Sequence, residues 1–324
     1  MNHAFKHPPV ICVDIGGSYI KFGLSSRQGE VETLDKAPMP AADWAAFVTA
    51  LENLIQAHGG RYPADAPLAI SAAGIVSPES GEVFASNIAA FKGKKLAAEL
   101  SARLGRHVCI ANDADCFALA EAVAGTGRGH RVVFGVILGT GVGGGLAVNQ
   151  RILSGAAGLT GEWGHGPITR TEITLAGKTR YLPRQACGCG QTGCLDTFGG
   201  ARGLERLHHI LHHQTADSIG IIQRWRQGEP LAGLTIDAWA QVVGEPLAYC
   251  INLTGASIVA VGGGLAAVPT LIDALDSAVR PLILRKGDGP LVVAGRFSQD
   301  GGMVGASVMG RALAHCEREP YEHA

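Results

Sequence analysis

Short continuous apolar runs, each closed by glycines, punctuate this chain. Residues 10–14 are an apolar run ending in an acid, Gly16-Gly17-Ser18 follows, and residues 19–24 form a second extended run. That pattern predicts strand, tight turn, strand. Apolar residues at Trp44, Phe47, Val48, Leu51, Leu54 and Ile55 keep helical spacing across 43–58, and 68–71 is again strand-like. A helix over 95–104, a strand over 108–111 and a helix over 114–124 continue the alternation, which predicts an α/β fold. The last of these helices is entered directly after Asn112-Asp113, a polar pair at the carboxyl end of a strand, where open α/β sheets place ligands.

The second half repeats the opening. Residues 132–138 are a continuous apolar strand, Gly139-Thr140-Gly141-Val142-Gly143-Gly144-Gly145 reads as a turn, and 146–148 is extended again. Helical patterns cover 204–222 and 236–253. A strand over 257–261 ends in Gly262-Gly263-Gly264, and 291–294 is a short strand. Residues 305–314, small and apolar, suit a helix that returns to the first lobe. Strand, glycine turn, strand at the start of each half points to two related lobes. The expected division is 1–113, with the C-terminal helix at about 305–324, and 114–304, which holds a cysteine-bearing loop over 165–196.

Composition narrows the function. With 324 residues, 47% hydrophobic and 17% charged, the chain has the material of a globular enzyme. A net charge of -1 supplies no field for nucleic acid or a membrane surface, so small molecules are the expected partners. Residues 1–9 lack the apolar segment of a signal peptide, and no run has the length of a membrane span, so a cytoplasmic protein is expected. Cys12, Cys109, Cys116, Cys250 and Cys316 sit in apolar stretches and read as small buried hydrophobes.

The other three cysteines are concentrated. Gly161-Glu162-Trp163-Gly164-His165-Gly166 precedes Cys187-Gly188-Cys189-Gly190-Gln191-Thr192-Gly193-Cys194-Leu195-Asp196. His165, Cys187, Cys189 and Cys194 make the donor set of a tetrahedral zinc ion; a disulfide and buried free thiols are the alternatives. Four protein ligands leave no open position, so such a zinc is structural, with chemistry expected beside it, Glu162 being nearest.

The glycine turn at 139–145 has no Walker lysine and lacks the strand-to-helix setting of a dinucleotide fingerprint. It suits a phosphate cradle of backbone N–H groups or a plain hairpin. Asp14, beside Gly16-Gly17-Ser18, offers a second phosphate-facing turn and a carboxylate for Mg²⁺. Asp113 is either a helix cap or the base that takes a proton from a substrate hydroxyl. The run His208-His209-Ile210-Leu211-His212-His213 reads as a solvated helix face, and Trp163, Trp225 and Trp239 as packing residues.

Taken in this order, Asp14-Ile15-Gly16-Gly17-Ser18, Ala111-Asn112-Asp113-Ala114, residues 138–146, 161–166, 187–196 and 261–265 resemble the ROK family of sugar kinases. The resemblance implies the two-lobed actin-like ATPase (sugar kinase, Hsp70 and actin) fold with an interlobe cleft and a structural zinc loop. It implies ATP-dependent phosphorylation of a hexose or N-acetylhexosamine, first N-acetyl-D-glucosamine at the 6-hydroxyl, with glucose, N-acetylmannosamine or fructose as alternative acceptors and a non-catalytic sugar-binding protein as the remaining alternative. Asp113 is then the base, with Gly74, Asn87, Asn112, Glu162, His165 and Asp196 at the sugar. Phosphate contacts fall to Asp14, Ile15, Gly16, Gly17, Ser18, Tyr19 and to Gly139, Thr140, Gly141, Val142, Gly143, Gly144 and Gly145, and adenosine contacts to Gly262, Gly263 and Gly264. Zn²⁺ falls to His165, Cys187, Cys189 and Cys194, and a homodimer is expected. The chain departs from the family at Asp196, where Glu is usual, at Ala73, which lacks the proline often seen before Gly74, and at Ser18, where Thr is usual.

Overall fold

The structure, a computed structural model, describes residues 9–85, 88–287 and 289–316. In chain order its strands and α-helices begin with β1 (Val10–Ile15), β2 (Tyr19–Arg27), β3 (Glu30–Pro38), α1 (Trp44–Ala57), β4 (Leu68–Ala72), β5 (Ile75–Val76), β6 (Val83–Phe84) and α2 (Leu96–Leu104). β7 (Val108–Asn112), α3 (Asp113–Ala124), β8 (Val132–Leu138), β9 (Val142–Val148), β10 (Arg151–Ile152), β11 (Glu172–Leu175) and β12 (Lys178–Tyr181) follow. The chain continues through α4 (Asp196–Gly199), α5 (Ala201–His212), α6 (Ser218–Arg226), α7 (Pro230–Thr254), β13 (Ile258–Gly262), α8 (Pro269–Val279), β14 (Val292–Ala294) and α9 (Gly301–Cys316).

These elements gather into two compact units. The first takes the described residues of 1–128, 150–160 and 300–324; the second takes 129–149 and 161–299. In the first unit the sheet order is β3-β2-β1-β4-β7, with β1 to β3 antiparallel and β4 and β7 parallel to β1. The residues of β1 alternate between two cores. Ile11, Val13 and Ile15 face Phe47, Leu51, Leu96 and Leu100 from α1 and α2, whereas Val10 and Cys12 face Met303 and Ala306 of α9. A strand covered on both faces must be apolar throughout, which is why its sequence shows a run and not an alternation.

The register aligns the carboxyl ends of the three parallel strands. Asp14 pairs with Ser71, Ile15 with Ala72, and Ala72 with Asn112. Asp14 and the Asn112-Asp113 junction therefore emerge at the same edge of one sheet.

The expected division at 113/114 falls inside a packed element. Every residue of α3 from Ala114 to Ala122 is buried, the carboxylates Asp115 and Glu121 among them. It stays in the first unit because it packs along α9, where Gly305 lies against the backbone of Cys116 and Gly301 against Phe117.

The second unit has strand order β9-β8-β13-β14, with β8 antiparallel to β9 and parallel to β13. Its core includes Phe134, Val136, Phe198, Val243 and the fully buried Trp239, whose Nε1 donates to the Gly199 carbonyl at 2.8 Å. The expected glycine turn shortens here. Gly143, Gly144 and Gly145 pair with Ile137, Val136 and Gly135, so the turn is Gly139-Thr140-Gly141 and the remaining glycines belong to a strand. The expected helix over 204–222 is two helices. His213 ends α5 in the left-handed region (φ 55), and the Asp217 carboxylate starts α6 by accepting from Gly220 N at 2.6 Å.

The histidine run is a solvated face only in part: His209 and His213 are exposed, whereas His208 and His212 turn inward. Leu204, Leu207 and His208 share the buried side of α5. His208 Nδ1 and His212 Nε2 lie 2.8 and 3.1 Å from the hydroxyl of Thr235, itself buried on α7. Burial, with His212 and Arg224 nearby, holds His208 below the usual histidine range, and burial does the same to His212.

Two expectations follow. A methyl group at Gly305 would strike the Cys116 carbonyl, so Gly305→Ala should cost about 1–3 kcal/mol, read as a lowered denaturant midpoint. Because both histidines bind protons less readily folded than unfolded, their contribution is complete above about pH 6.5 and is lost as pH falls from there through the folded pKa values. Thermal midpoints should therefore drop between pH 7 and 5.5, and drop less in His212→Asn; equal slopes would remove the pair as the source.

Candidate active site

The first unit contributes two acids. Asp14 is the penultimate residue of β1, and its Oδ1 accepts from the Ser71 hydroxyl at 2.9 Å while Oδ2 meets Lys21 Nζ at 3.3 Å. Gly302, in the first turn of α9, closes on the same carboxylate. Lys21 and Ser71 were not singled out from the sequence. Ser71 was legible as the register partner of Asp14, while Lys21 was hidden in a strand whose alternation it merely continues.

At the next strand end the capping question resolves onto the neighbouring residue. Asn112 is the N-cap of α3, its Oδ1 accepting from Ala114 N at 2.8 Å and Asp115 N at 3.3 Å, while its Nδ2 donates to the Gly74 carbonyl at 2.8 Å. Asp113 is the first residue of the helix, exposed, with Oδ1 accepting from Ala114 N at 2.9 Å. A carboxylate there is favoured by the unsatisfied N–H groups and the dipole of α3. Gly74 is thereby linked to Asn112. Asn87 lies outside the described residues. Ile15 has its side chain in the core, so only its backbone is available to a ligand, and Tyr19 is exposed beneath the Lys36 ammonium.

In the second unit the short 3₁₀ turn Trp163–His165 is seated on the strand glycines. Trp163 Nε1 donates to the Gly143 carbonyl at 2.9 Å, and its ring meets Phe134 edge-on at 5.9 Å. His165 turns its Nδ1 toward Cys187 Sγ, 3.7 Å away, and its Nε2 toward Glu162 Oε2, 3.9 Å away. The ligand atoms of His165, Cys187, Cys189 and Cys194 all lie within 4.8 Å of one another, with Cys189 and Cys194 sulfurs 3.7 Å apart. Sulfurs 2.3 Å from a zinc at tetrahedral angles are separated by about 3.8 Å, so this donor set fits the ion. The Gln191 N–H helps bring the Cys189 thiol down to about 6, whereas burial and its neighbour Cys189 push Cys194 up to about 12.

The glycine turns of the second unit also converge. β8 and β13 run parallel, and Gly263 lies against the Leu138 carbonyl and Gly139 N. Asp196, expected at the sugar, is engaged on this side: its Oδ1 accepts from Val142 N at 2.7 Å, and its Oδ2 lies 3.9 Å from Cys187 Sγ.

Comparison with known proteins places this geometry. The model of the ROK family matches residues 10–312. An N-acetyl-D-glucosamine kinase of Citrobacter koseri is 33% identical over 296 residues, 91% of this chain and 97% of that protein. Among solved structures, a ROK family glucokinase from Streptomyces griseus in complex with glucose and AMPPNP superposes with a TM-score of 0.74 at 26% identity, covering 94% of this chain and 99% of that one. A ROK hexokinase from Thermus thermophilus gives 0.74 at 28% identity, covering 95% and 99%.

Purified protein should carry a single zinc ion per chain, and Cys189→Ser should lose it, measured by elemental analysis. Full metal content in that variant would contradict the four-ligand assignment.

Proposed function

Since the chain belongs to the ROK family of sugar kinases, we propose that it transfers the γ-phosphoryl group of ATP to the 6-hydroxyl of N-acetyl-D-glucosamine. The observation that carries this reading is the near full-length similarity to an N-acetyl-D-glucosamine kinase. In the first unit Asp113 is the general base. As the 6-oxygen attacks phosphorus, the O6–P bond forms, the bond from phosphorus to the β,γ-bridging oxygen breaks, ADP leaves, and the hydroxyl proton passes to Asp113. The Asn112 cap supports this role by fixing the start of α3, which orients the base.

The glycine turns at 16–18 and 139–141 offer backbone N–H groups to phosphates, and Gly262 to Gly264 take the adenosine side. Asp14 would hold Mg²⁺, which neutralises charge on the transferring phosphoryl group. Glu162 and His165 bind sugar hydroxyls, and the fit of the thiols and Nδ1 to zinc supports His165 presenting Nε2 outward. The closed site would order its loop without taking part in the reaction. No helix among the described residues is long and apolar enough to cross a membrane. On this reading the enzyme is a cytoplasmic homodimer.

Glucose is the second acceptor to consider. The superposition with the glucokinase in complex with glucose and AMPPNP supports it.

Asp113→Asn should lower kcat by about 10²–10⁴-fold with the sugar dissociation constant unchanged by calorimetry. Wild-type turnover in that variant would remove Asp113 as the base. An ADP-release assay across N-acetylglucosamine, N-acetylmannosamine, glucose, mannose and fructose should give the highest kcat/KM for N-acetylglucosamine; a higher value for glucose would move the specificity to the second reading.

A further inference from the structure

The residues from Cys194 to Ala201 lie along one side of the turn Gly139-Thr140-Gly141. Asp196 Oδ1 accepts from Val142 N at 2.7 Å, and Ala201 N donates to the Gly139 carbonyl at 2.8 Å. A side chain on Gly200 would stand 2.6 Å from the Thr140 carbonyl oxygen, so only glycine allows this approach. The same Asp196 lies two residues beyond Cys194, with Oδ2 3.9 Å from Cys187 Sγ. One carboxylate therefore touches both the cysteine cluster and the glycine turn.

We propose that Asp196 is a positioning residue for the nucleotide, acting as a strut that transmits the order of the metal-bound cysteine loop to the Gly139–Gly141 turn. The proposal rests on the reading of that turn as a phosphate cradle. Its physical basis is that a turn of two glycines and a threonine has little conformational preference of its own. Its backbone N–H groups must nevertheless be held in place before phosphate arrives if binding is not to lose affinity to ordering. Asp196 supplies one fixed point at Val142, and Ala201 supplies another at Gly139. The first depends on where Cys194 and Cys187 are held, and so on the metal. The helix start at Ala201 is secured separately, since the adjoining Gly199 carbonyl accepts from Trp239. Asp196 is thus the connection that metal occupancy can alter.

The test is the affinity for AMPPNP with Mg²⁺, by calorimetry, on the metal-loaded and the metal-stripped protein. Asp196→Ala, with metal content verified, should weaken AMPPNP binding about tenfold, the scale of one lost hydrogen bond to a charged acceptor. Sugar affinity should move by less than about twofold, which a generally loosened site would not respect. Asp196→Asn keeps an oxygen acceptor for Val142 N–H and should restore nucleotide affinity. Stripping the metal should weaken AMPPNP binding in the wild type and add nothing in Asp196→Ala, because both act through one connection. If Asp196→Ala fails to fold or to hold metal, Asp196→Glu carries the comparison: it keeps the charge, displaces the acceptor by one methylene, and should also weaken AMPPNP.

Unchanged AMPPNP affinity in both variants, a loss confined to the sugar, or multiplicative effects of stripping and substitution would each overturn the proposal. A wild-type protein that binds no AMPPNP would instead overturn the nucleotide reading of the turn itself, and the strut with it.

Discussion

Convergence of His165 with three thiols is the constraint on which the second unit's functional surface depends. The segment from Gly161 to Gly200 anchors Ile168, Leu182, Leu195 and Phe198 in the core, but the stretch that carries Cys187 and Cys189 is rich in glycine and polar residues, with Cys189 and Gln191 exposed. What fixes it is a set of directional contacts. Trp163 is pinned to the strand glycines, Leu195 N donates to the Gly166 carbonyl, and Asp196 is bound to the turn beyond β8. A tetrahedral ion would join the two ends of this segment where side-chain packing does not.

The first unit reaches order by the opposite route. Its acids stand on strands buried from both faces, so the sheet positions them before any ligand is present. Asp14 and the Asn112-Asp113 pair are aligned by register alone, and Asn112 takes the capping role that leaves Asp113 at the helix start. A rigid sheet end thus carries Asp113 and Asp14, the proposed base and Mg²⁺ carboxylate, while Glu162 and His165, proposed to face the sugar, ride on a segment with polar contacts of its own.

Much of this was legible in sequence because buried strands and glycine turns leave sharp marks. The run at 132–138 coincides with β8, and the four metal-binding candidates meet within one ligand sphere. Failures came where a side chain's partner lies far along the chain. His208 looked solvated because polar type was weighed above position, although 204, 207, 208 and 211 form one face of α5 and Thr235 waits on α7. The break between α5 and α6 was signalled by Asp217 ahead of Ser218 and Gly220, a capping cue weaker than the surrounding apolar pattern. The hydrogen bond from Val142 to Asp196 was not legible in sequence, since the two residues are 54 positions apart.

The seam between the first unit's sheet and α9 bears on how the chain is made. Val10, Cys12 and Ala69 are synthesised long before the Met303 and Ala306 side chains that cover them. During translation one face of the first sheet stays bare while the whole second unit is being produced and is free to fold. Completion of the first sheet's core thus awaits the emergence of α9 from the ribosome.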